Sequence, residues 1–177
     1  MNRKNIAYGL ILMNVILQAA SCFWYSELPG FVWTLADAIV IMVPLVFGLR
    51  MGVLCLLSVA ASELLWFFAV GSFGPLLHLA AFAIAVILMG LANQRLAALP
   101  RRKRAFLSGA LFIAGLAGEE LLYHGLRLLV LQKPVNWTAF FDVVLSPVIP
   151  VVLVLLVVFI FRPDRGGEHV TDRTSET

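Results

Sequence analysis

Six stretches of the chain stay apolar for close to 20 residues or longer, at roughly 5–25, 31–49, 51–70, 74–94, 105–131 and 139–161. An α-helix of about 20 residues crosses a hydrocarbon layer about 30 Å thick. The breaks between them are short and carry Gly or Pro: "SELPG" after the first, "GSFGP" after the third and "AALPRRKRA" after the fourth. The pattern predicts an all-α integral membrane protein, a six-transmembrane-helix bundle. Residues 1–162 would form one domain, and the polar stretch 163–177 a disordered tail.

Composition agrees with this pattern. Of 177 residues, 62% are hydrophobic and 13% charged, with a mean hydropathy of +0.98. Soluble chains use about 25% charged residues. The isoelectric point of about 9.2 raises nucleic-acid binding until the charges are located. Arg3, Lys4, Arg50, Arg95, Arg101, Arg102, Lys103, Arg104, Arg162, Arg165 and Arg173 share one side of a six-span chain, eleven of the 13 basic residues. Only Lys133 falls in a loop on the other side, with Arg127 near that end of the fifth helix. The positive-inside rule then puts both termini in the cytoplasm. The "RRKR" cluster becomes an orientation signal with scope for anionic-lipid contact, and no soluble basic face remains for nucleic acid. Trp24, Trp33 and Trp137 all fall near the outer boundary, as an aromatic belt does. "ILQAASC" faintly resembles a cleavage site, but Asn14 and Gln18 interrupt the run before it, so an uncleaved first helix is expected. Cys22 and Cys55 lie near opposite membrane faces, too far apart for a disulfide.

Ionisable residues inside spans mark functional candidates. They are Asp37, Glu63, His78, Glu119, Glu120, His124 and Arg127, with Asp142 at the outer end of the sixth helix. Glu120, His124 and Arg127 follow at i, i+4 and i+7, so they share one face and form a ladder. Glu119 points about 100° away, over Tyr123, and the two glutamates are expected not to meet one partner. Ala110, Ala114 and Gly118 repeat at the spacing that lets another helix approach closely. Pro44, Pro147 and Pro150 are expected to kink or shape helices 2 and 6. The polar set is either structural or a partner- or ligand-binding site, and the sequence leaves both open.

The chain as a whole resembles the rod shape-determining MreD family. The resemblance runs from "LILMNVILQAAS" to the proline-bearing "LSPVIPVVLVLLVVFIF". Its densest block is "WTLADAIVIMVPLVFGLRMG", then Glu63 late in helix 3, then "GSFGPLLH" leading into "ILMGLANQRL". Ala36-Asp37 stands where the family often has Pro-Asp, and Glu63 where Asp is common. The resemblance implies a non-catalytic scaffold of the bacterial cell-elongation machinery in the cytoplasmic membrane. It would bind the bitopic protein MreC and, directly or indirectly, the RodA glycosyltransferase and its class B transpeptidase. No cofactor, metal or catalytic residue is expected.

Two other families share parts of the pattern. The S components of energy-coupling-factor transporters are six-helix proteins of this size with Gly-x-x-x-Gly between helices 2 and 3, here Gly48 and Gly52. Their Ala-x-x-x-Ala motif is absent from helix 1. "EELLYHG" resembles the first motif of the CAAX-protease family, with His124 in place of arginine. The later histidines of that motif set are missing, since only the tail residue His169 follows.

Overall fold

A computed structural model of the chain describes residues 3–23 and 30–145. Everything regular in that range is helical: α1 (Arg3–Phe23), α2 (Gly30–Phe47), α3 (Leu49–Val70), α4 (Gly74–Leu96), α5 (Arg101–Leu131) and α6 (Trp137–Leu145). Among the described residues, α3, α4 and the Lys103–Leu131 part of α5 are long and apolar enough to cross a membrane. This arrangement is compatible with a helical membrane protein. Pro147, Pro150, Trp24 and the tail lie outside the described residues, as do the side chains of Trp33 and Asp142.

The helix boundaries follow local chemistry. Gly71, at φ 66°, ends α3 in the left-handed region and returns its N–H to the Phe67 carbonyl. Pro75 opens α4, where a missing N–H costs nothing. Gln132 closes α5 at φ 53°, uncommon for a non-glycine residue, with its N–H on the Arg127 carbonyl. Between α2 and α3, Gly48 at φ 97° turns the chain in a single residue, donating to the Pro44 carbonyl at 3.0 Å.

α2 is the central helix and packs against α1, α3, α4 and α5, while α6 rests on α5. From Ala38 to Leu45 every residue of α2 is buried, Pro44 included. Around it stand Cys55, Val59, Phe82, Val86, Phe112 and Leu116. The outward faces are apolar too: Val53, Leu57, Leu64, Leu65 and Phe68 on α3, and Ile84, Ile87, Leu88 and Leu91 on α4. A water-soluble monomer rarely exposes so continuous an apolar surface.

In lipid, removal of apolar surface from water does not drive helix association. Close packing and interhelical hydrogen bonds do. Both are present. A Cβ at Gly52 would lie 2.5 Å from Pro44 Cβ, one at Gly90 would lie 2.9 Å from the Leu49 backbone, and one at Gly115 would lie 2.9 Å from Ile41. Asn14 on α1 donates to Ser58 on α3 at 2.8 Å, and one turn further along Ser62 donates to Gln18 at 2.9 Å. The two polar residues that interrupt the first apolar run therefore form a seam with α3.

The expected packing stripe on α5 is corrected. Ala110, Ala114 and Gly118 are exposed, and a Cβ at Gly118 would meet nothing within 4 Å. Helix rotation instead turns Gly115, Phe112 and Leu116 toward α2 and α4, so the close approach occurs at Gly115. Cys22 and Cys55 are both free thiols.

Candidate functional site

The intramembrane polar residues gather at the end of the bundle where α2 and α4 begin and α3 and α5 finish. Their hub is His78, on the second turn of α4. Its Nδ1 lies 2.7 Å from Glu63 Oε1 on α3, and its Nε2 lies 3.6 Å from Glu119 Oε1 on α5. The short α3–α4 turn places Glu63 beside His78. The imidazole contacts two tilted aromatic rings, Phe82 at 4.6 Å between ring centres and Tyr123 at 4.8 Å. Its two nitrogens face carboxylates on two different helices.

Glu119 and Glu120 converge, which overturns the expectation from helical geometry. Donor atoms of His78, Glu119 and Glu120 all lie within 4.8 Å of one another. Two long side chains that leave a helix about 100° apart can still reach a point lying between their directions, and α4 places His78 at such a point. Glu119 is 2% exposed and Glu120 is 6% exposed. Glu119 Oε1 is buried without a hydrogen-bond partner.

The ladder on α5 is shorter than its spacing suggests. Glu120 Oε1 stands 3.3 Å from His124 Nε2, one turn away, but hydrogen-bond geometry is not met and both His124 nitrogens are buried without a partner. Arg127 does not continue the ladder. Its guanidinium lies 5.3 Å above the Tyr123 ring, a cation–π contact at i, i+4. Tyr123 thus links Arg127 on one side to His78 on the other.

Asp37, Glu63, His78, Tyr123 and Arg127 line an open cavity of about 480 Å³, with Lys133 at its edge. Asp37 enters from the α2 side. The cavity reaches His78, while Glu119 lies on its far side, facing a smaller apolar groove between α4 and α5. Asp142 falls on α6, and its side chain lies outside the described residues.

At the opposite end, Arg104 donates to the carbonyls of Ala97 and Leu99, at 3.0 Å for the latter, and fastens the α4–α5 turn. Asn93 donates to the Leu45 carbonyl there.

Sequence reasoning did not identify His78 as the hub, because its partners come from helices adjacent on either side and share no periodicity with it. It also passed over Ser58 and Ser62. Their i, i+4 spacing on α3 repeats that of Asn14 and Gln18 on α1, a signal visible in the sequence alone. No family model, curated protein or solved structure matches the chain.

Proposed function

We propose that the chain is a six-span protein of the bacterial cytoplasmic membrane, with both termini in the cytoplasm, that acts as a non-catalytic scaffold of the MreD type. In this role it binds an MreC-like bitopic protein and supports the RodA glycosyltransferase and transpeptidase of cell elongation. The observation that carries the reading is that the residues of the resemblance are occupied inside the bundle. Gly48 makes the α2–α3 turn, Gly52 lets α3 pack on Pro44, Glu63 is bonded to His78, and Gly71 caps α3. A bundle so fastened offers partners its helix faces and short loops. The basic residues Arg50, Arg95, Lys103 and Arg104 lie at the end opposite the polar cluster, which supports a cytoplasmic assignment for that end.

One observation favours a second reading, an S component of an energy-coupling-factor transporter. The 480 Å³ cavity has the volume of a small-molecule site and a lining of both charges. Affinity purification of the tagged full chain from bacterial membranes in mild detergent separates the two. Recovery of MreC or RodA supports the scaffold. Recovery of a transporter T subunit with its ATPases, or of a bound vitamin, overturns it. Glu120→Ala is expected to lower protein level or assembly; loss of cleavage of a membrane substrate would instead return the protease reading.

A further inference from the structure

We propose that His78, Glu119 and Glu120 bind one divalent transition-metal cation of the zinc or manganese type, with Glu63 as a positioning residue. The site is independent of the scaffold assignment, because it rests on the bundle's interior and not on its partners.

The geometry starts at His78 Nδ1. A carboxylate 2.7 Å away accepts a hydrogen bond, so this nitrogen carries the proton in the neutral ring and Nε2 presents a lone pair. That lone pair faces Glu119 Oε1 at 3.6 Å, and the oxygen is buried with no hydrogen-bond partner. Two electron-rich atoms 3.6 Å apart, the oxygen buried, are held together by a cation between them, either a proton on the imidazole or a metal ion. Two ligands about 2.1 Å from one zinc ion at a tetrahedral angle stand roughly 3.4 Å apart, close to the separation seen. Glu120 supplies the third donor, within 4.8 Å of the other two. A carboxylate on the distal nitrogen of a ligating imidazole is the usual outer-shell partner, since it fixes the tautomer and raises basicity; Glu63 occupies that position.

One imidazole nitrogen with two carboxylates selects zinc, manganese or ferrous iron over magnesium, which keeps water and oxygen ligands. Two negative charges from the glutamates match a divalent ion, so the bundle interior approaches neutrality when it is bound. The open cavity reaches His78 and Glu63, and the smaller groove between α4 and α5 reaches Glu119. The bound ion would tie α4 to α5 and, through Glu63, to α3.

The test is metal content and metal-dependent stability of the full chain purified in detergent. After chelator treatment and dialysis, wild type is expected to take up about one equivalent of Zn²⁺ or Mn²⁺ by elemental analysis. Its melting temperature should rise on addition of either ion, and not on addition of Mg²⁺. His78→Ala and Glu119→Gln should each lower affinity at least tenfold. Glu63→Gln, which keeps an acceptor but loses the charge, should weaken it by roughly 10- to 100-fold, as outer-shell changes do. Arg50→Ala, at the far end, should leave uptake unchanged. A stripped wild type that binds neither ion at 100-fold molar excess overturns the proposal, with a proton shared between His78 and Glu119 then the cation in place. Undiminished uptake by folded His78→Ala and Glu119→Gln variants also overturns it. The wild-type measurements decide the matter even where a variant does not fold.

Discussion

Gly52→Ala is expected to destabilise the bundle by about 2 kcal/mol, although alanine is the better helix former. The added methyl carbon would lie 2.5 Å from Pro44 Cβ, 3.1 Å from Pro44 Cγ and 3.1 Å from Val86 Cγ1. Carbon atoms pack at about 3.5–4.0 Å, so α3 must retreat from α2 by about 1 Å. Neither neighbour can yield cheaply. The Pro44 atoms belong to a ring with no rotamer to change, and α2 is buried on all sides from Ala38 to Leu45. Overpacking of this kind costs about 1–3 kcal/mol, and so severe an overlap belongs at the upper end. Alanine recovers about 1 kcal/mol of helix propensity. The difference is the expected loss.

The measurement is unfolding of the purified chain in mild detergent titrated with dodecyl sulfate, followed by helix content. Gly118→Ala is the control, since it makes the same chemical change on α5 with nothing within 4 Å of the new carbon. It should hold or gain up to about 1 kcal/mol. Pro44→Gly combined with Gly52→Ala removes the ring carbons that the new methyl would meet on α2. The pair should therefore be less damaging than the sum of the single changes. If Gly52→Ala is as stable as wild type, or Gly118→Ala falls equally, close α2–α3 packing at this glycine is refuted.

Three further outcomes follow from the same contacts. Glu63→Leu leaves the half-buried His78 Nδ1 without an acceptor and should cost about 1–3 kcal/mol in that titration, whereas Glu63→Gln keeps an acceptor and should recover most of the loss. A double-mutant cycle of Asn14→Ala and Ser58→Ala should give a coupling of about 0.6 kcal/mol, the average for interhelical hydrogen bonds in a membrane bundle; zero coupling would remove the α1–α3 seam as a stabilising element. In a chain with Cys22 and Cys55 replaced by serine, a cysteine at Lys133 should react with an impermeant maleimide in intact bacterial cells. One at Lys103 should react only after the membrane is opened, and the reverse pattern would refute the cytoplasmic assignment of the basic end.

Three long apolar helices, α3, α4 and most of α5, were legible in the sequence because lipid imposes one rule, long apolar runs with backbone bonds satisfied internally. α3 and α4 follow the apolar runs at 51–70 and 74–94 to within about two residues at each end. Facing was harder to read. A chain apolar on all sides, as α4 is, carries no stripe that says which face turns inward. The stripe on α5 misled for that reason: Ala110, Ala114 and Gly118 have the spacing of a packing face, yet Gly115 occupies the contact. Spacing records which residues share a face. It does not record which of two small-residue faces meets a neighbour when both are tolerated in lipid.

The polar groups show the same division at finer scale. Within α5, the i, i+4 rule brought Glu120 and His124 together correctly, because one helix sets both positions. It also separated Glu119 from Glu120, because it treats side chains as rigid spokes. What joins them lies outside the helix: α4 inserts His78 between the two directions, and three flexible methylene stems close the remaining distance. A cluster assembled from three helices is therefore invisible to the periodicity of any one of them. The residues most restricted by such a cluster are not those with the strongest local pattern. Arg127 completed the ladder by spacing and is free of it in the structure, lying over Tyr123 at the cavity wall. His78 had no pattern at all, and it holds Glu63 on one nitrogen and faces Glu119 on the other. Substitution at His78 should accordingly disturb three helices at once, whereas substitution at Arg127 removes its contacts with Tyr123, one turn away on the same helix.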